Sequence, residues 1–440
     1  MQRATTRASH LHLLCFVILT CVLTAPAYAQ KRKQADAIGD PLDGLKPIET
    51  TFFNHGRDQF LRVWGMSEGV GPVFTDGACG RCHSLPVLGG SSNRLLTFFG
   101  KTVNGVFDPL DGNGPSGENE GGILLQPRSN QAFLRDCSQG GEVPPQDANK
   151  FENRSAPPVF GFGLIDAIAD IDIQNEAVDK GMGVKGRPNV GDVFLQDFPP
   201  PHTVGRFGRK AQIANLVEMA AFAFAHDLGI TNELNLDEDL PQGQPIDLNC
   251  TLNTARPNNP NEGSGGNGMF PLSHFARYLA PPKPLSCDDN TPCSRGKQTF
   301  SNIGCDLCHK QSYTTPSNVQ VRTDLSGTSL TSPALSNQTV TLYSDLLLHD
   351  LGNADKGSIP EGQMNTSLAK LTEWRTTPLW GLQYRLADPH LMHGGAARSL
   401  DSAIKLHSDG ISGEGTVVIG NYLGLSPQDQ ADLWAFLATL

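Results

Sequence analysis

The chain has 440 residues and a formal net charge of −11 at pH 7. An acidic chain of this kind argues against binding to nucleic acid or to anionic membranes, and it permits a basic partner protein. Its 47 glycines and 31 prolines, with only 7% aromatic residues, are typical of short helices joined by long loops. At roughly 150 residues per domain, the length allows about two or three domains.

The first 29 residues read as a secretory signal peptide. Arg3 and Arg7 precede an apolar run over residues 11–23, which is followed by Ala-Tyr-Ala at 27–29. A basic start, an apolar run and an A-x-A site predict export and cleavage, which would take the net charge to about −13. A lipoprotein leader is the alternative, but no cysteine here follows a convincing lipobox. No later stretch is long and apolar enough to span a bilayer, so we expect a periplasmic protein.

A predicted helix precedes the first motif that carries chemistry. Apolar residues recur at helical spacing within residues 51–64. Residues 79–83 then read Cys-Gly-Arg-Cys-His, the C-x-x-C-H spacing that attaches a c-type haem. The thiols of Cys79 and Cys82 can each take one vinyl group of a porphyrin, and His83 can bind the iron as the proximal ligand.

The same motif recurs in the second half as Cys305, Cys308 and His309. A four-cysteine zinc site is an alternative, but zinc-binding pairs usually lie closer in sequence and each pair here carries its own histidine. A thioredoxin-like redox pair needs a βαβ context, and neither motif has one. We therefore predict two covalently bound c-type haems.

A glycine and a phenylalanine four residues later precede each motif. They are Gly56 and Phe60 in the first half, and Gly296 and Phe300 in the second. This pair resembles the N-terminal helix of class I cytochromes c, in which the glycine permits close helix crossing and the aromatic ring packs beside the haem.

An arginine phrase follows each motif. The first half has Arg154-Ser-Ala-Pro and the second has Arg375-Thr-Thr-Pro, each followed by apolar residues and a glycine. Either phrase alone is compatible with an ordinary loop, but recurrence at matching positions indicates a shared domain plan. Since arginine holds carboxylates through charge-assisted hydrogen bonds, Arg154 and Arg375 are candidates for binding haem propionates.

The repeats predict a mainly α fold of two class I cytochrome c-like haem domains in tandem, loop-rich and with large insertions. We expect the N-terminal domain over residues 30–280 and the C-terminal domain over 281–440, with an Asn/Gly/Pro-rich linker at 255–268. Amphipathic helices are predicted from Leu216 to His226 and from Leu400 to His407. A last helix should begin at Pro427 with Ser426 as its N-cap.

Four cysteines remain outside the motifs and the leader: Cys137, Cys250, Cys287 and Cys293. In an oxidising compartment an even number of remaining cysteines indicates disulfides. Cys287 and Cys293 flank a short turn and could close a small loop, which would leave Cys137 with Cys250. All three connectivities of four cysteines remain open from sequence.

Taken together, the motifs resemble the bacterial di-haem cytochrome c peroxidases and their relatives, which include the MauG-type enzymes that mature quinone cofactors. Within that superfamily the sequence is most similar to the di-haem oxidoreductase group, often labelled thiol oxidoreductases. Residues 343–352, 375–382 and 392–395 carry the similarity in the second half, and residues 162–165 and 206–211 carry it in the first. It covers nearly the whole mature chain.

The resemblance implies a second axial ligand for the haem on His309. In the peroxidases, the C-terminal haem takes a methionine at a fixed spacing after the histidine of a His-Asp-Gly phrase. The corresponding position after His393 is His407, although a histidine that merely ends a surface helix is the alternative. Bis-histidine ligation would lower the potential relative to Met/His ligation. We expect His349 to lie near this haem as well.

Two departures from the family pattern affect the expected chemistry. The usual His-Asp-Gly-Arg phrase reads His-Gly-Gly-Ala at 393–396, and Met219 stands where a glutamine is expected. The relatives use distal carboxylates or amides to move protons during peroxide cleavage. Glu218, beside Met219, is therefore the candidate acid/base residue, and a solvent-exposed helix glutamate is the alternative. His202 and His226 are alternative distal residues.

These features predict a periplasmic peroxidase that reduces hydrogen peroxide with electrons from a donor cytochrome or small redox protein. The haem on His83 would keep an open or displaceable sixth position, and the haem on His309 and His407 would store and pass the second electron. One alternative is a non-enzymatic di-haem electron carrier, and another is oxidation of a protein or thiol substrate. Calcium lies between the domains of some peroxidases, but its binding positions are not recognisably preserved here.

Overall fold

The computed structural model describes residues 38–190, 203–250, 268–352 and 369–440. Within these ranges the following single residues are not described: Gly105, Asp111, Asn113, Gly114, Ile123, Leu236, Asp237, Leu371, Asp388 and His393. The predicted signal peptide, nearly all of the predicted linker at 255–268, and His202 also lie outside the described residues.

Short helices and short strands are interspersed along the described chain. The α-helices are α1 Pro47–Leu61, α2 Phe162–Asp166, α3 Asp170–Gln174, α4 Leu216–Leu228, α5 Met269–Tyr278, α6 Pro292–Asn302, α7 Leu382–Arg385, α8 Leu400–Lys405, α9 Thr416–Leu423 and α10 Pro427–Leu437. The strands are β1 Val73–Phe74, β2 Leu95–Val103, β3 Val106–Asp108, β4 Arg128–Ser129, β5 Lys150–Ser155, β6 Tyr313–Thr314, β7 Gln320–Arg322, β8 Ser329–Thr331, β9 Thr339–Val340, β10 Leu348–Asp350 and β11 Glu373–Arg375. No described helix is long and apolar enough to cross a membrane.

The strands form small antiparallel sheets. One has three strands in the order β3-β2-β5, and the others are the pairs β1–β4, β6–β9, β7–β8 and β10–β11. Arg154 in β5 pairs with Leu96, and Arg375 in β11 pairs with Leu348. The two arginine phrases of the sequence therefore both begin at the end of a strand.

The prediction of a mainly α fold made of two class I cytochrome c-like domains in tandem is wrong. The structure is 31% helical and 15% strand, and its strands are spread over several small sheets. The strands were missed because β2 reads Leu-Leu-Thr-Phe-Phe without a clean alternation of apolar and polar residues. Its partner β5 lies far along the chain, and strand formation depends strongly on such tertiary pairing.

The ends of the predicted helices are close to those observed. The helix predicted from Leu216 begins there, with the Asn215 side chain accepting a hydrogen bond from the backbone of the first turn. Ser426 caps α10 as predicted, because its hydroxyl accepts from the Asp429 N–H. Helix α8 ends at Lys405, so His407 follows the helix and does not belong to its last turn.

Two pairs of helices cross at a glycine, one pair in each half. Helix α1 packs on α5 at Gly56, and α6 packs on α10 at Gly296. A Cβ at either glycine would run into a backbone carbonyl of the partner helix, that of Pro271 or of Asp432. The close crossing predicted for both glycines is confirmed, although the surrounding domains are not mainly helical.

We expect Gly296→Ala to lower the free energy of unfolding by about 1–3 kcal/mol, because backbone must move to admit the methyl group. Thermal and denaturant unfolding followed by circular dichroism would measure the loss. Gly420→Ala is the matched control, since Gly420 lies in helix α9 and, apart from its chain neighbours and its own helix backbone, no atom lies within 4 Å of an added Cβ. There alanine should be neutral or stabilise by up to about 1 kcal/mol. Equal effects of the two substitutions would contradict the crossing argument.

The largest apolar core takes residues from both halves of the sequence. It runs from α1, α4 and α5 to Tyr313, Leu335 and Trp380. A smaller core joins α6, α9 and α10 around Phe300 and Phe436. The domain boundary at residue 281 stays a prediction, since packing continues across it.

Two disulfides join the four remaining cysteines. Cys137 bonds to Cys250 across a separation of 113 residues, and Cys287 bonds to Cys293. The sequence left three connectivities open, and the structure has the one in which Cys287 and Cys293 close a small loop. It leaves the four motif cysteines as free thiols.

Candidate functional site

Both C-x-x-C-H turns open onto one cavity of ≈ 530 Å³. Each turn begins as a short 3₁₀ segment, Cys79–Arg81 in the first half and Cys305–Leu307 in the second. The N–H of each motif histidine donates to the carbonyl of the first cysteine of its own turn, at 3.0 Å and 2.9 Å. This local bonding presents both thiols and the imidazole of each motif to the cavity.

The first motif holds its histidine in one orientation. The Nδ1 of His83 lies 3.3 Å from the Gly90 carbonyl oxygen, and the backbone of Pro157 also contacts the ring. With its proton on Nδ1, the imidazole would keep Nε2 as the nitrogen that can bind a metal. The Phe60 ring lies beside it with 5.7 Å between ring centres. Burial lowers the pKa of His83, so the imidazole is neutral, as a metal ligand must be. Burial also raises the pKa of the Cys79 thiol to about 12.

The second motif repeats this geometry. The Nδ1–H of His309 donates to the Tyr343 carbonyl at 2.9 Å, and the Phe300 ring lies 6.3 Å from the imidazole centre. Burial, with a smaller contribution from His407, lowers the pKa of His309 to about 4. The two halves thus share the orientation of the proximal imidazole and the aromatic ring beside it.

His407 faces His309 across the cavity. Their ring centres are 6.3 Å apart, and the His407 Nδ1–H donates to the Ala403 carbonyl at 2.9 Å. A metal bound by both rings lies about 2 Å from each nitrogen, with roughly 1 Å more to each ring centre, which requires about 6 Å between centres. The observed separation fits an iron between the two imidazoles. His407 lines the cavity, which disfavours the alternative of a histidine on a surface helix.

Helix α4 forms a wall of the same cavity near the first motif. Glu218, Phe222 and His226 all line it, because residues four apart share one face of a helix. Glu218 is only 6% exposed, so the alternative of a solvent-exposed glutamate is wrong. Burial raises its pKa to about 7, against weaker opposing hydrogen bonds from the backbone of Ala214 and Asn215. A carboxyl in this state can take up or release a proton near neutral pH.

His226 is held by a carboxylate behind it. Its Nδ1 lies 2.9 Å from Asp239 Oδ2, and the Phe222 ring packs against it with 4.4 Å between centres. The Gln126 amide donates both to Asp239 and to the His226 carbonyl, at 2.9 Å and 2.6 Å. Burial lowers the pKa of His226, but the Asp239 carboxylate outweighs it and raises the pKa above its ordinary value. None of the sequence motifs indicated the contact between His226 and Asp239.

Four arginines line the cavity: Arg154, Arg209, Arg375 and Arg385. Arg154 is 2% exposed and donates to Glu152 at 2.9 Å. Such guanidinium groups suit carboxylates like the propionates of a porphyrin. The sequence indicated Arg154 and Arg375, whose propionate-binding role stays a prediction, but it gave no role to the other two. Arg209 lies within residues 206–211, which resemble the family, whereas no local sequence signal marks Arg385.

His349 lies beside the second motif within a buried ion-pair network. Its Nδ1 is 3.6 Å from the Cys308 thiol and 2.8 Å from Glu414, and its Nε2 is 2.9 Å from Asp345. Burial opposes charge on the imidazole, but both carboxylates raise its pKa well above the ordinary value. Lys180 also pairs with Asp345 at 3.0 Å. The network fixes the wall behind Cys308.

Among the described residues, no group of three or more His, Cys, Asp or Glu side chains could hold a metal ion by itself. Each turn instead offers two thiols and one imidazole. This set suits a porphyrin, which brings four nitrogen ligands of its own and leaves axial positions to the protein.

A family model described as "Di-haem oxidoreductase, putative peroxidase" matches residues 139–440, which is more than half of the chain. The chain belongs to the di-haem oxidoreductase family. The resemblance drawn from the sequence is thereby confirmed, and membership implies haem cofactors and a peroxidase-like redox role. The match begins after Cys79–His83, so the first motif of this di-haem oxidoreductase lies outside the matched residues.

One solved structure resembles the chain at low similarity. It is a chain of Kuenenia stuttgartiensis hydrazine synthase pressurised with 20 bar xenon, with 13% sequence identity and a TM-score of 0.38 over 93% of this chain and 92% of that chain. Similarity at this level does not establish a shared fold. No curated protein matches this di-haem oxidoreductase.

Proposed function

We propose that this di-haem oxidoreductase is a periplasmic peroxidase that carries two covalently bound c-type haems. It would reduce one hydrogen peroxide to two waters, taking up two protons and two electrons, with the electrons supplied by a donor cytochrome or small redox protein. The asymmetry of the cavity carries the proposal. His309 is faced by His407 with 6.3 Å between ring centres. Near the first motif, by contrast, helix α4 brings Asp227 close to Cys79 and Cys82, and its Glu218 lines the same cavity.

The bound haems supply an iron that can bind peroxide and a second iron that can store an electron. The protein residues hold and tune them. Cys79 and Cys82, with Cys305 and Cys308, would form the thioether bonds, and the Nδ1 hydrogen bonds of His83 and His309 keep Nε2 available for binding. The cavity arginines are positioned to neutralise carboxylates.

Glu218 would act on the peroxide itself. As a carboxylate it would accept the proton of one peroxide oxygen and return it to the departing oxygen, which leaves as water. The raised pKa of Glu218, about 7, keeps both protonation states accessible. His226, held by Asp239, lies on the same wall and could relay protons to it.

Export is supported by the predicted leader and by the two disulfides, since such bonds persist in oxidising compartments. Covalent haem attachment is also completed outside the cytoplasm in bacteria. A donor protein in the same compartment would supply electrons.

His226 also favours a second candidate function, that of an electron carrier without enzyme activity. If its imidazole bound the first iron, both irons would be six-coordinate and peroxide could not enter. The two candidates differ in the spin state of the first iron and in turnover.

Electron paramagnetic resonance of the ferric protein, with a peroxide turnover assay, tests the proposal. After mass spectrometry of the denatured protein has counted the covalent haems, we expect one low-spin signal and one high-spin signal, the latter present on isolation or after half-reduction. Peroxide should be consumed with a reduced donor. Two low-spin irons without peroxide turnover would instead support the carrier.

A further inference from the structure

Three arginines converge on one buried carboxylate beside the first motif. Asp76, which is 4% exposed, accepts from Arg81 Nη1 at 2.9 Å and pairs with Arg128 Nη2 at 3.4 Å. Arg94 also pairs with it and donates to the Thr75 carbonyl at 3.1 Å. We call Arg81, Arg94 and Arg128 the arginine patch. Three guanidinium groups on one carboxylate leave a local excess of positive charge in a chain whose net charge is −11.

The arginine patch faces solvent and adjoins the haem-attachment turn. The side chains of Arg81, Arg94 and Arg128 are 49%, 34% and 45% exposed. Arg81 lies between the two motif cysteines. Arg94 and Arg128 also lie near Cys82, together with the carboxylates of Asp76 and Asp227. Three guanidinium groups against two carboxylates leave one positive charge in excess beside these thiols.

Exposed apolar side chains adjoin the same turn. Leu61 is 54% exposed and borders Gly80, within the motif, and Val63 is 60% exposed and borders Gly77. Apolar contacts with a charged rim in which arginine is prominent are the usual composition of a protein-binding surface. A transient partner buries only a small interface, and complementary charge guides its association.

Among the described residues, the second motif lacks this excess of positive charge. Its neighbouring lysines are balanced, because Lys310 pairs with Glu176 and Lys180 pairs with Glu176 and Asp345. An acidic surface would therefore be drawn to the first turn. The overall negative charge of the chain would repel it elsewhere.

We propose that the arginine patch, with Leu61 and Val63, is the docking surface for a redox protein that has an acidic face. This docking proposal rests on the proposed function, since it assumes that the chain exchanges electrons with a partner protein. One electron at a time would pass from the reduced iron–sulfur or haem centre of the partner to ferric iron held at Cys79–His83. The overall charge alone would instead have favoured a basic donor.

The test uses a plant-type [2Fe–2S] ferredoxin, an acidic protein, as the probe of the haem-loaded chain. Calorimetry should show binding that weakens as salt is raised from about 10 to 200 mM, because the attraction is screened over about 10 Å. The double variant Arg81→Gln/Arg128→Gln should weaken binding at low salt by roughly tenfold, about 1.4 kcal/mol. Arg94 still pairs with Asp76 in that variant, so we expect near-UV circular dichroism to be unchanged.

The matched control is Lys283→Gln/Lys297→Gln, which removes two charges from exposed lysines of the second half. It should change the affinity for the ferredoxin by less than about twofold, the range usual for charges outside an interface. A second readout is stopped-flow oxidation of the reduced chain by hexacyanoferrate(III), an anionic reagent. Its rate should fall several-fold in the arginine variant and stay constant in the lysine control.

Salt-insensitive binding, no binding at low salt, or equal losses in both double variants would overturn the docking proposal. The binding readout is independent of peroxide chemistry. Intact salt-sensitive binding without peroxide turnover would retain this surface while rejecting the peroxidase. Peroxide turnover with a small-molecule reductant but no ferredoxin binding would support the peroxidase and reject the docking surface.

Discussion

His407→Ala should convert the haem of the second motif from low-spin to high-spin. The imidazoles of His309 and His407 have 6.3 Å between their centres, the separation that one iron between two ring nitrogens requires. Removing the second imidazole leaves the sixth position open or filled by water, which is a weaker ligand. Electron paramagnetic resonance and visible spectra would record the change in one of the two haems.

His407→Met tests the same position in the opposite way. A thioether in place of the imidazole should keep the iron six-coordinate and raise its reduction potential by on the order of 0.1 V, a small part of the roughly 0.8 V that axial ligands span. Lys405→Ala is the control on the same segment, since its side chain is exposed and pairs with Asp401. It should leave both spectra unchanged. An unaltered spectrum in His407→Ala would remove His407 from the ligand set.

Glu218→Gln should reduce peroxide turnover by roughly 10²–10⁴-fold, the usual contribution of a positioned acid/base group. Glutamine keeps the size of the side chain and can still accept the hydrogen bond from the Ala214 N–H, which is 3.3 Å from Oε2. The fold and the haem spectra should therefore survive. Stopped-flow mixing with peroxide separates the loss of this step from changes in electron supply.

The pH dependence gives Glu218 a second signature. Burial raises its pKa to about 7, and a base must be ionised to accept a proton. The rate of the wild-type protein with peroxide should therefore rise as pH increases through about 7, whereas the Glu218→Gln rate should lack that step.

Glu238→Gln is the matched control for both measurements. Burial also raises the pKa of Glu238 to about 7, but Glu238 is absent from the cavity lining. We expect it to keep both the rate and the pH step. If both variants lost activity equally, the effect would reflect the general charge of this region and Glu218 would lose its assigned role.

Local signals were enough to identify the motifs and their immediate surroundings. The C-x-x-C-H turns form from five consecutive residues, so their geometry depends on residues that are adjacent in sequence. The same holds for the Ser426 cap and for Gly56 and Gly296, each of which sits where two helices approach closely. The family assignment followed from the same short phrases.

Long-range pairing explains the failure of the fold prediction. Strand β2 pairs with β5, which lies far from it in sequence. Strands of two or three residues, such as β10 and β11, are too short to show a detectable sequence pattern. Their stability comes from hydrogen bonds and packing across the fold. A sequence scanned for helical periodicity therefore overestimates helix.

The sequence by itself determined that this chain carries two C-x-x-C-H turns, four further cysteines and the second-half phrases that resemble the family. Only the tertiary structure decided what surrounds those turns. It brought His407 opposite His309, buried Glu218 in the cavity wall, backed His226 with Asp239, and gathered the arginine patch around Asp76. The physical reason is that the geometry of a five-residue turn depends on neighbours in sequence. The burial and charge that the proposed proton transfer and docking require come from distant segments.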